Sequence, residues 1–415
     1  MVQSLEGALA LILQQATPLA PEVVGLEHLV GRVAAESISA PWDMPRWDNS
    51  EMDGFAVRAA DCQSLSQLRV DGFIPAGSSA AGMRVNPGTA VRIMTGAPVP
   101  SGCDAIVPLE DTTHDEDVIR LKKQVQPGDY IRFCGSDIAA GEVMIPAGTV
   151  LRPAEINLLA ALSCVKMKVH RLPQVAILST GDELVHPGEM AGPGQISDSN
   201  AYSLAAAVRE LGAEPLLLGI ARDEHTSLKE KIAAGLNADV LISSAGVSTG
   251  DRDLVREILE EAGVKELFWK VNIKPGGPTA FGLKEAKLIF SLPGNPVSSM
   301  IAFDQLVRPA LLKMLGHEKI IRASVSARLK SPLVNETKKL RFIRVRAEAT
   351  PAGFVAESAG DQNTGVLKTM IQANAIAVLT PECSALAVGE QVWVQLLNPE
   401  EFSTIQFHDC QGPGE

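Results

Sequence analysis

Aromatic residues make up only 4% of this 415-residue chain, so its cores must be mostly aliphatic. Basic residues are in deficit too, 37 Lys and Arg against 49 Asp and Glu, which leaves a formal charge of −12. Nucleic-acid binders need a basic face for phosphates, so no nucleic-acid partner is expected. The six cysteines, at positions 62, 103, 134, 164, 383 and 410, form no closely spaced pair. That spacing speaks against a zinc site or a disulfide framework and for a reducing cytoplasm. No apolar run approaches the ~20 residues of a membrane span, so no membrane partner is expected either. ALALIL, residues 8–13, has no basic segment before it and Glu6 at its edge. It reads as an amphipathic helix over about residues 4–15, not as a secretion signal.

Several catalytic signatures are also missing. No GxGxxG follows a strand-like run, and no GxxxxGK[ST] phosphate loop occurs. The seven histidines are scattered, with neither HExxH nor a close pair. A serine nucleophile would need a GxSxG elbow, and none is evident.

What is present is 46% apolar residues, enough for a core in each of ~2–3 domains. Residues 1 to about 40 read as helical, until the prolines of APWDMPRWDNS interrupt the pattern. From about residue 55 to 132 the segments AVRIM, DAIVPL and DVIRLK are short and β-like. Gly-Pro turns such as NPGT and QPGD separate them, which suggests a small all-β unit. From residue 172 the runs VAILST, PLLLGIA, DVLISS and LIFSL suit strands buried on both faces. Helical stretches alternate with them, from NAYSLAAAVRELG to PVSSMIAFDQLVRPALLKML, and imply an open parallel sheet with right-handed crossovers. Beyond His317, the short stretches ASVSARL, FIRVRAEA, AIAVL and QVWVQLL make a second β domain.

Ligands of open α/β sheets bind outside the carboxyl ends of the strands. Three loops fall there: LSTGDELVHPG, SSAGVSTGDRD and SLPGNPVSS, the last containing Pro293, Gly294, Asn295 and Pro296. In the second, Gly246 and Gly250 let backbone N–H groups approach an oxyanion, and Ser248 and Thr249 add hydroxyl donors. The same loop supplies Asp251 and Asp253, so it both invites and carries negative charge. Lys270 and Lys274 stand four apart in FWKVNIKPGGP, and Glu183, Asp223, Asp251 and Asp253 follow strand ends. Together those acids are the hard oxygen donors that a magnesium–phosphate complex uses. Upstream, Asp48, Asp53 and Asp61 flank a turn at Gly54, where turn chemistry alone accounts for them. Arg344 and Arg346 share one side of a strand, a setting better suited to an oxyanion than to a core.

The ordered segments PRWDNSEMDGFAV, RIMTGAPVPSGCDAIVPLED, STGDEL, GQISDSN, AGVSTGDRD, FWKVNIKPGGPTAFG and SLPGNPVSS resemble the molybdopterin molybdenumtransferase family, essentially along the whole chain. The resemblance implies an elongated, multidomain α/β-plus-β subunit that forms a homodimer. Its expected domains are a discontinuous N-terminal helical domain at 1–43 and 133–171, a β domain at 44–132, an α/β molybdopterin-binding domain at 172–318 and a β-barrel-like domain at 319–415. It also implies a reaction: adenylylated molybdopterin and molybdate bind, Mg²⁺ assists hydrolysis, AMP leaves, and molybdenum joins the dithiolene. By motif, Asp53, Thr95, Glu183, Asp223, Asp253, Lys270 and Lys274 carry over as catalytic, with Glu183 and Asp253 on the metal. Ser298, Arg344 and Thr364 match the positions that hold molybdate. Upstream and downstream proteins of molybdenum-cofactor synthesis are the implied protein partners.

There are departures from the family pattern. Gly277 stands where the family usually has lysine, Ala245 where glycine is frequent, and Thr364 where serine is usual. Two other readings remain, a relative of the preceding adenylyltransferase and a non-catalytic scaffold. The additional domains and the MDGFAV segment disfavour the first, and the lack of a long linker or appended partner domain disfavours the second.

Overall fold

The computed structural model describes residues 2–62, 66–115, 117–245 and 254–402. The chain divides into two compact units: Met1–Val23, Gly31–Ala35 and Lys168–Glu415 form one, and Val24–Val30 with Glu36–Met167 the other. Residues of the expected 1–43 and 133–171 domain are therefore shared between the units.

The first helix, Leu5–Gln15, starts where the Ser4 hydroxyl accepts the Gly7 N–H at 3.0 Å. Its buried Ala8 and Ile12 join the main core of the α/β layer. Helix does not continue to residue 40, as the pattern suggested. Pro18 cannot supply a helix N–H, and Pro21–Gly25 is a strand containing the β-branched Val23 and Val24.

The larger unit is built on a six-stranded sheet, in the order Glu214–Ala221, Gln174–Thr180, Val240–Ser244, Lys287–Leu292, Ala280–Lys284, Lys265–Phe268. The first four run parallel, and the last two are antiparallel additions that the sequence pattern did not disclose. Alternate residues of one strand enter different cores. Val175 and Ile177 pack with the Asn200–Glu210 and Pro296–Ala302 helices, while Ala176 and Leu178 face His225–Gly235 and Leu254–Glu261. Burial on both faces is the reason the three inner parallel strands are continuously apolar. Glu214–Ala221 departs from that expectation: it is the edge strand, and its Leu216 and Leu217 are exposed.

The same unit contains a closed barrel of five strands, Ser324–Leu329, Leu340–Thr350, Gly353–Ser358, Ala375–Leu379 and Gln391–Leu396. Closure comes from pairing Leu340–Thr350 with both Gly353–Ser358 and Ala375–Leu379. The barrel is tied to the α/β layer by Ile273–Lys274, which pairs in parallel with Leu340 and Arg341. Phe342 and Ile376 enter the α/β core itself. The Asp304–Arg322 ion pair at 2.6 Å and a Gln305–Gln395 amide pair at 2.7 Å reinforce this junction.

In the second unit, six short strands form a mixed sheet with Gly54–Val57 between Ala105–Pro108 and Thr89–Ile93. Only glycine fits at position 54, because any Cβ there would run into the Val107 carbonyl. Among the described residues no helix is long and apolar enough to cross a membrane.

At the amino ends of the central strands, Arg171 grips Asp239 through two bonds of 2.7 and 2.6 Å, and the Gln174 N–H donates to the same carboxylate at 2.9 Å. Burial alone would raise the Asp239 pKa, but the Arg171 and Gln174 donors outweigh it and hold it below the ordinary carboxylate range. Because this pKa is depressed on folding, its contribution is present above the unfolded value and lost as pH falls through the folded one. Asp239→Ala is expected to lower stability by about 1–2 kcal/mol at neutral pH. Urea denaturation should show the gap between variant and wild type closing below pH 4 or so, the ordinary carboxylate range.

Candidate active site

The Gln174–Thr180 strand lies between Glu214–Ala221 and Val240–Ser244, so successive connections leave it toward opposite edges of the sheet. Such a reversal opens a crevice outside the carboxyl ends of the strands. A cleft of about 430 Å³ lies there. Ser179, Thr180 and Glu183 line it after the first strand, and Ser244 and Ala245 after the third. Pro293, Gly294, Asn295 and Pro296 line it after the fourth. A larger depression of about 550 Å³ on the barrel is lined by Lys330, Arg346, Glu348 and Glu357 among others; Arg346 is the one sequence candidate in its lining, and none of the three strand-end loops reaches it. Gly246, Ser248, Gly250 and Asp253 lie outside the described residues.

Local backbone geometry shapes this cleft. Ala245 adopts φ +78°, a left-handed conformation that costs a residue with a Cβ roughly 1–2 kcal/mol. Its N–H donates to Leu292 O at 3.0 Å, which holds the bend. Opposite, a Cβ on Gly294 would come within 3.3 Å of the Ala245 methyl, so glycine is what lets the two loops lie this close together.

Asn200, Asp198 and Ser197 also line the cleft, although sequence reasoning gave them no role. The GQISDSN segment reaches it because Leu184–Val185 and Ile196–Ser197 pair in parallel. Asn200 Nδ2 donates to Ser244 Oγ and to the Gly294 carbonyl, each at 2.7 Å. One side chain thereby ties three strand-end loops together. The signal available in the sequence was an Asn at the start of a helix directly after a Ser-Asp-Ser run, which reads equally well as ordinary capping.

The acidic side of the cleft is the GDEL loop. Gly181 takes φ +143°, and the Glu183 carboxylate folds over the space a side chain at 181 would fill. Arg222 Nη1 holds the loop by bonding the Asp182 and Leu184 carbonyls at 3.0 and 3.1 Å. The Asp223 N–H donates to Asp182 Oδ1 at 3.2 Å, so Asp182, Glu183 and Asp223 gather on adjacent strand ends. Partial desolvation raises the Asp223 pKa, and the Asp182 and Glu183 charges raise it further. Hard oxygen donors with surplus negative charge suit a magnesium ion. Among the described residues, however, no three acidic, His or Cys side chains are grouped to hold a metal.

The cationic segment sits beside the cleft, and its Pro278 is a lining residue. Lys270 is on a two-residue strand paired with Val2–Gln3, its Nζ 5.7 Å from the Trp269 ring. Lys274 is exposed and opposite Arg341 in register. Ser298 is buried, and its carbonyl would lie 3.3 Å from a Cβ on Gly276, so the Lys274 turn rests against the start of the Ser298 helix. A side chain at Gly277 would put its Cβ 2.9 Å from the Ile273 carbonyl. Restoring the family's lysine here would therefore require the backbone to shift.

Arg344 is only 2% exposed, contrary to the expectation that it avoids a core. The 361–363 loop closes over it: Nη2 donates to the Asp361 and Asn363 carbonyls at 3.0 and 3.2 Å, and Gln362 Oε1 accepts its backbone N–H at 3.0 Å. Nη1 is buried with no partner. Burial lowers the Arg344 pKa, and Asp361 opposes that shift. Thr364 follows directly and is half-buried. Arg346, two residues on, is exposed.

Asp53 and Thr95 belong to the other unit and meet each other. Asp53 Oδ1 accepts both the N–H and the hydroxyl of Thr95 at 2.7 Å, and these two bonds, the backbone one foremost, lower its pKa. Two residues proposed separately from motifs thus form one hydrogen-bonded pair.

Comparison with known families agrees along the chain. The MoeA N-terminal region (domain I and II) matches residues 3–163, the probable molybdopterin binding domain residues 176–313, and the MoeA C-terminal region (domain IV) residues 326–397. A molybdopterin molybdenumtransferase of Nostoc sp. is 38% identical over 90% of this chain and 88% of its own length. One from Haemophilus influenzae is 36% identical over 92% of this chain and 95% of its own. The crystal structure of a molybdopterin biosynthesis moeA protein from Pyrococcus horikosii superposes with a TM-score of 0.84 at 34% identity, covering 96% of this chain and all of that one.

The bonds around Arg344 make its removal a structural injury as well as a chemical one. Arg344→Met leaves two loop carbonyls unpaired, and is expected to cost about 2–4 kcal/mol. Thr364→Ala should cost less than about 1 kcal/mol. Thermal denaturation of the two variants checks the contrast.

Proposed function

The chain belongs to the molybdopterin molybdenumtransferase family, and we propose that it inserts molybdenum from molybdate into adenylylated molybdopterin, with magnesium-dependent hydrolysis and release of AMP. It is a transferase of molybdenum-cofactor biosynthesis. The observation that carries the proposal is the cleft at the chain reversal of the α/β sheet, inside the segment matched by the molybdopterin-binding model.

Cleaving a phosphoanhydride is mainly a matter of positioning and charge neutralisation. Gly246, Ser248 and Gly250 offer N–H and hydroxyl donors to the phosphates, and Lys270 and Lys274 balance their charge. Water adds to phosphorus, the bridging bond breaks, and AMP departs as a phosphate monoester. Glu183 and Asp253 would hold Mg²⁺, which supplies positive charge beside the diphosphate. Asp223 adds to the acidic side of that site. Arg344, Ser298 and Thr364 orient molybdate for transfer to the dithiolene, and the unpartnered Arg344 Nη1 is a donor suited to an oxyanion. Magnesium dependence, the adenylylated substrate and a cytoplasmic location are parts of this proposal, as are partners upstream and downstream in cofactor synthesis. A homodimer completes it, with Asp53 and its bonded Thr95 serving the second copy's site.

Incubating the protein with adenylylated molybdopterin should release AMP only when molybdate and Mg²⁺ are present; release that ignores molybdate would contradict the reaction. Asp253→Asn is expected to bind the pterin substrate normally and to slow hydrolysis by roughly a hundredfold or more. Abolished binding with intact hydrolysis of bound substrate would reverse the assigned roles. Mixed dimers of Asp53→Ala and Asp253→Ala chains should recover activity that neither variant has alone. Dimers that stay inactive would rule out a shared site.

A further inference from the structure

Asn200 has one half of its amide engaged and the other half idle. The Gly294 carbonyl can only accept a hydrogen bond, so the amide nitrogen must face it, and the orientation of the side chain is chemically determined. Its oxygen is then turned away, buried and without a donor, in a residue that is 8% exposed and lines the cleft. Ser179 stands in register with Ser244, the residue that accepts Asn200's other N–H. The Ser179 hydroxyl is itself 1% exposed and unpartnered. Two residues lining the cleft therefore carry an unused acceptor and an unused hydroxyl, near the same pair of strand ends.

The charge at this corner excludes one end of the substrate. Asp198, 3% exposed, accepts the Ala201 N–H at 3.1 Å, so a carboxylate already occupies the start of the Asn200–Glu210 helix. A phosphate brought here would meet that carboxylate and the Asn200 carbonyl, both acceptors, where it needs donors. A neutral heterocycle is a better match. An N–H beside a ring carbonyl gives Asn200 Oδ1 its missing donor and gives the Ser179 hydroxyl something to donate to. Pterins carry such a lactam edge.

We infer that the Asp198–Asn200 corner takes the lactam edge of the pterin ring, with Asn200 Oδ1 accepting a ring N–H, and that the phosphate end is thereby directed to the other side of the cleft. This rests on the reaction proposed above and adds to it the orientation of the substrate and a specificity-determining residue.

The test uses two neutral probes, 6-methylpterin and its N3-methylated analogue, and one anionic probe, AMP, on the full-length protein by calorimetry. Wild type should bind 6-methylpterin about tenfold more tightly than the N3-methylated form. Asn200→Ala should lose about tenfold for 6-methylpterin, no longer distinguish the two pterins, and keep its AMP affinity within about twofold. Equal losses for pterin and AMP would mean that Asn200 merely props up the loops, and would overturn the assignment. So would a wild-type protein that binds both pterins alike or neither, a comparison that involves no variant and no risk of misfolding. If both pterins bind alike while AMP release still requires molybdate, the subsite falls and the reaction stands. If N3 discrimination holds while AMP release ignores molybdate, the reaction falls and the subsite stands.

Discussion

Everything in the larger unit follows from burying the central parallel sheet on both faces. Val175 and Ile177 serve one core, Ala176 and Leu178 the other, and the same alternation holds for Val240, Leu241 and Ile242. A strand in that position has no side on which to display a polar group. The polar groups are consequently displaced to the strand ends, where Ser179, Thr180, Ser243 and Ser244 interrupt the apolar runs. The amino ends are closed by the Arg171–Asp239 pair, and the carboxyl ends stay open as the cleft.

Charge is sorted around that opening. Carboxylates collect after the first two strands, at Asp182, Glu183 and Asp223, where partial burial and then the two neighbouring charges raise the pKa of Asp223. Cations approach from the segment of Lys270 and Lys274, which is held by pairing with the N-terminal strand on one side and the barrel on the other. The barrel contributes Arg344, kept rigid by the loop that closes over it. The substrate proposed above, with its phosphates and a divalent cation, would need both signs of charge, and this arrangement offers them from separate elements.

Legibility varied with how many faces an element buries. Three of the four parallel strands were readable because double burial leaves uninterrupted apolar runs; the edge strand Glu214–Ala221 has such a run too, although Leu216 and Leu217 are exposed. The antiparallel strands Lys265–Phe268 and Ala280–Lys284 were not, since each is short, carries lysine and is partly exposed. The first helix was readable up to Gln15, and the sequence reading ran too far because it gave alanines and leucines more weight than Pro18 and Pro21. Arg344 was read as better suited to an oxyanion than to a core, because nothing local announces that residues 361–363 will cover it. Asn200 was passed over for a similar reason: beside Ser199 and Asp198 it looks like one more capping residue.

By itself the sequence determined the kinds of chemistry on offer: aliphatic cores, glycine-rich loops after strands, hard acids, paired lysines and a family-wide order of motifs. These are local properties, legible because propensity and side-chain chemistry act over a few residues. The tertiary structure alone decided which polar atoms spend their hydrogen bonds on the fold and which are left over. Asp53 finds Thr95, Arg344 is consumed on one side and free at Nη1, and Asn200 bonds two other strand ends while its oxygen waits unpaired. Hydrogen bonding saturates and is settled between segments distant in the chain, so no inspection of neighbouring residues can tell which donors and acceptors remain for a ligand.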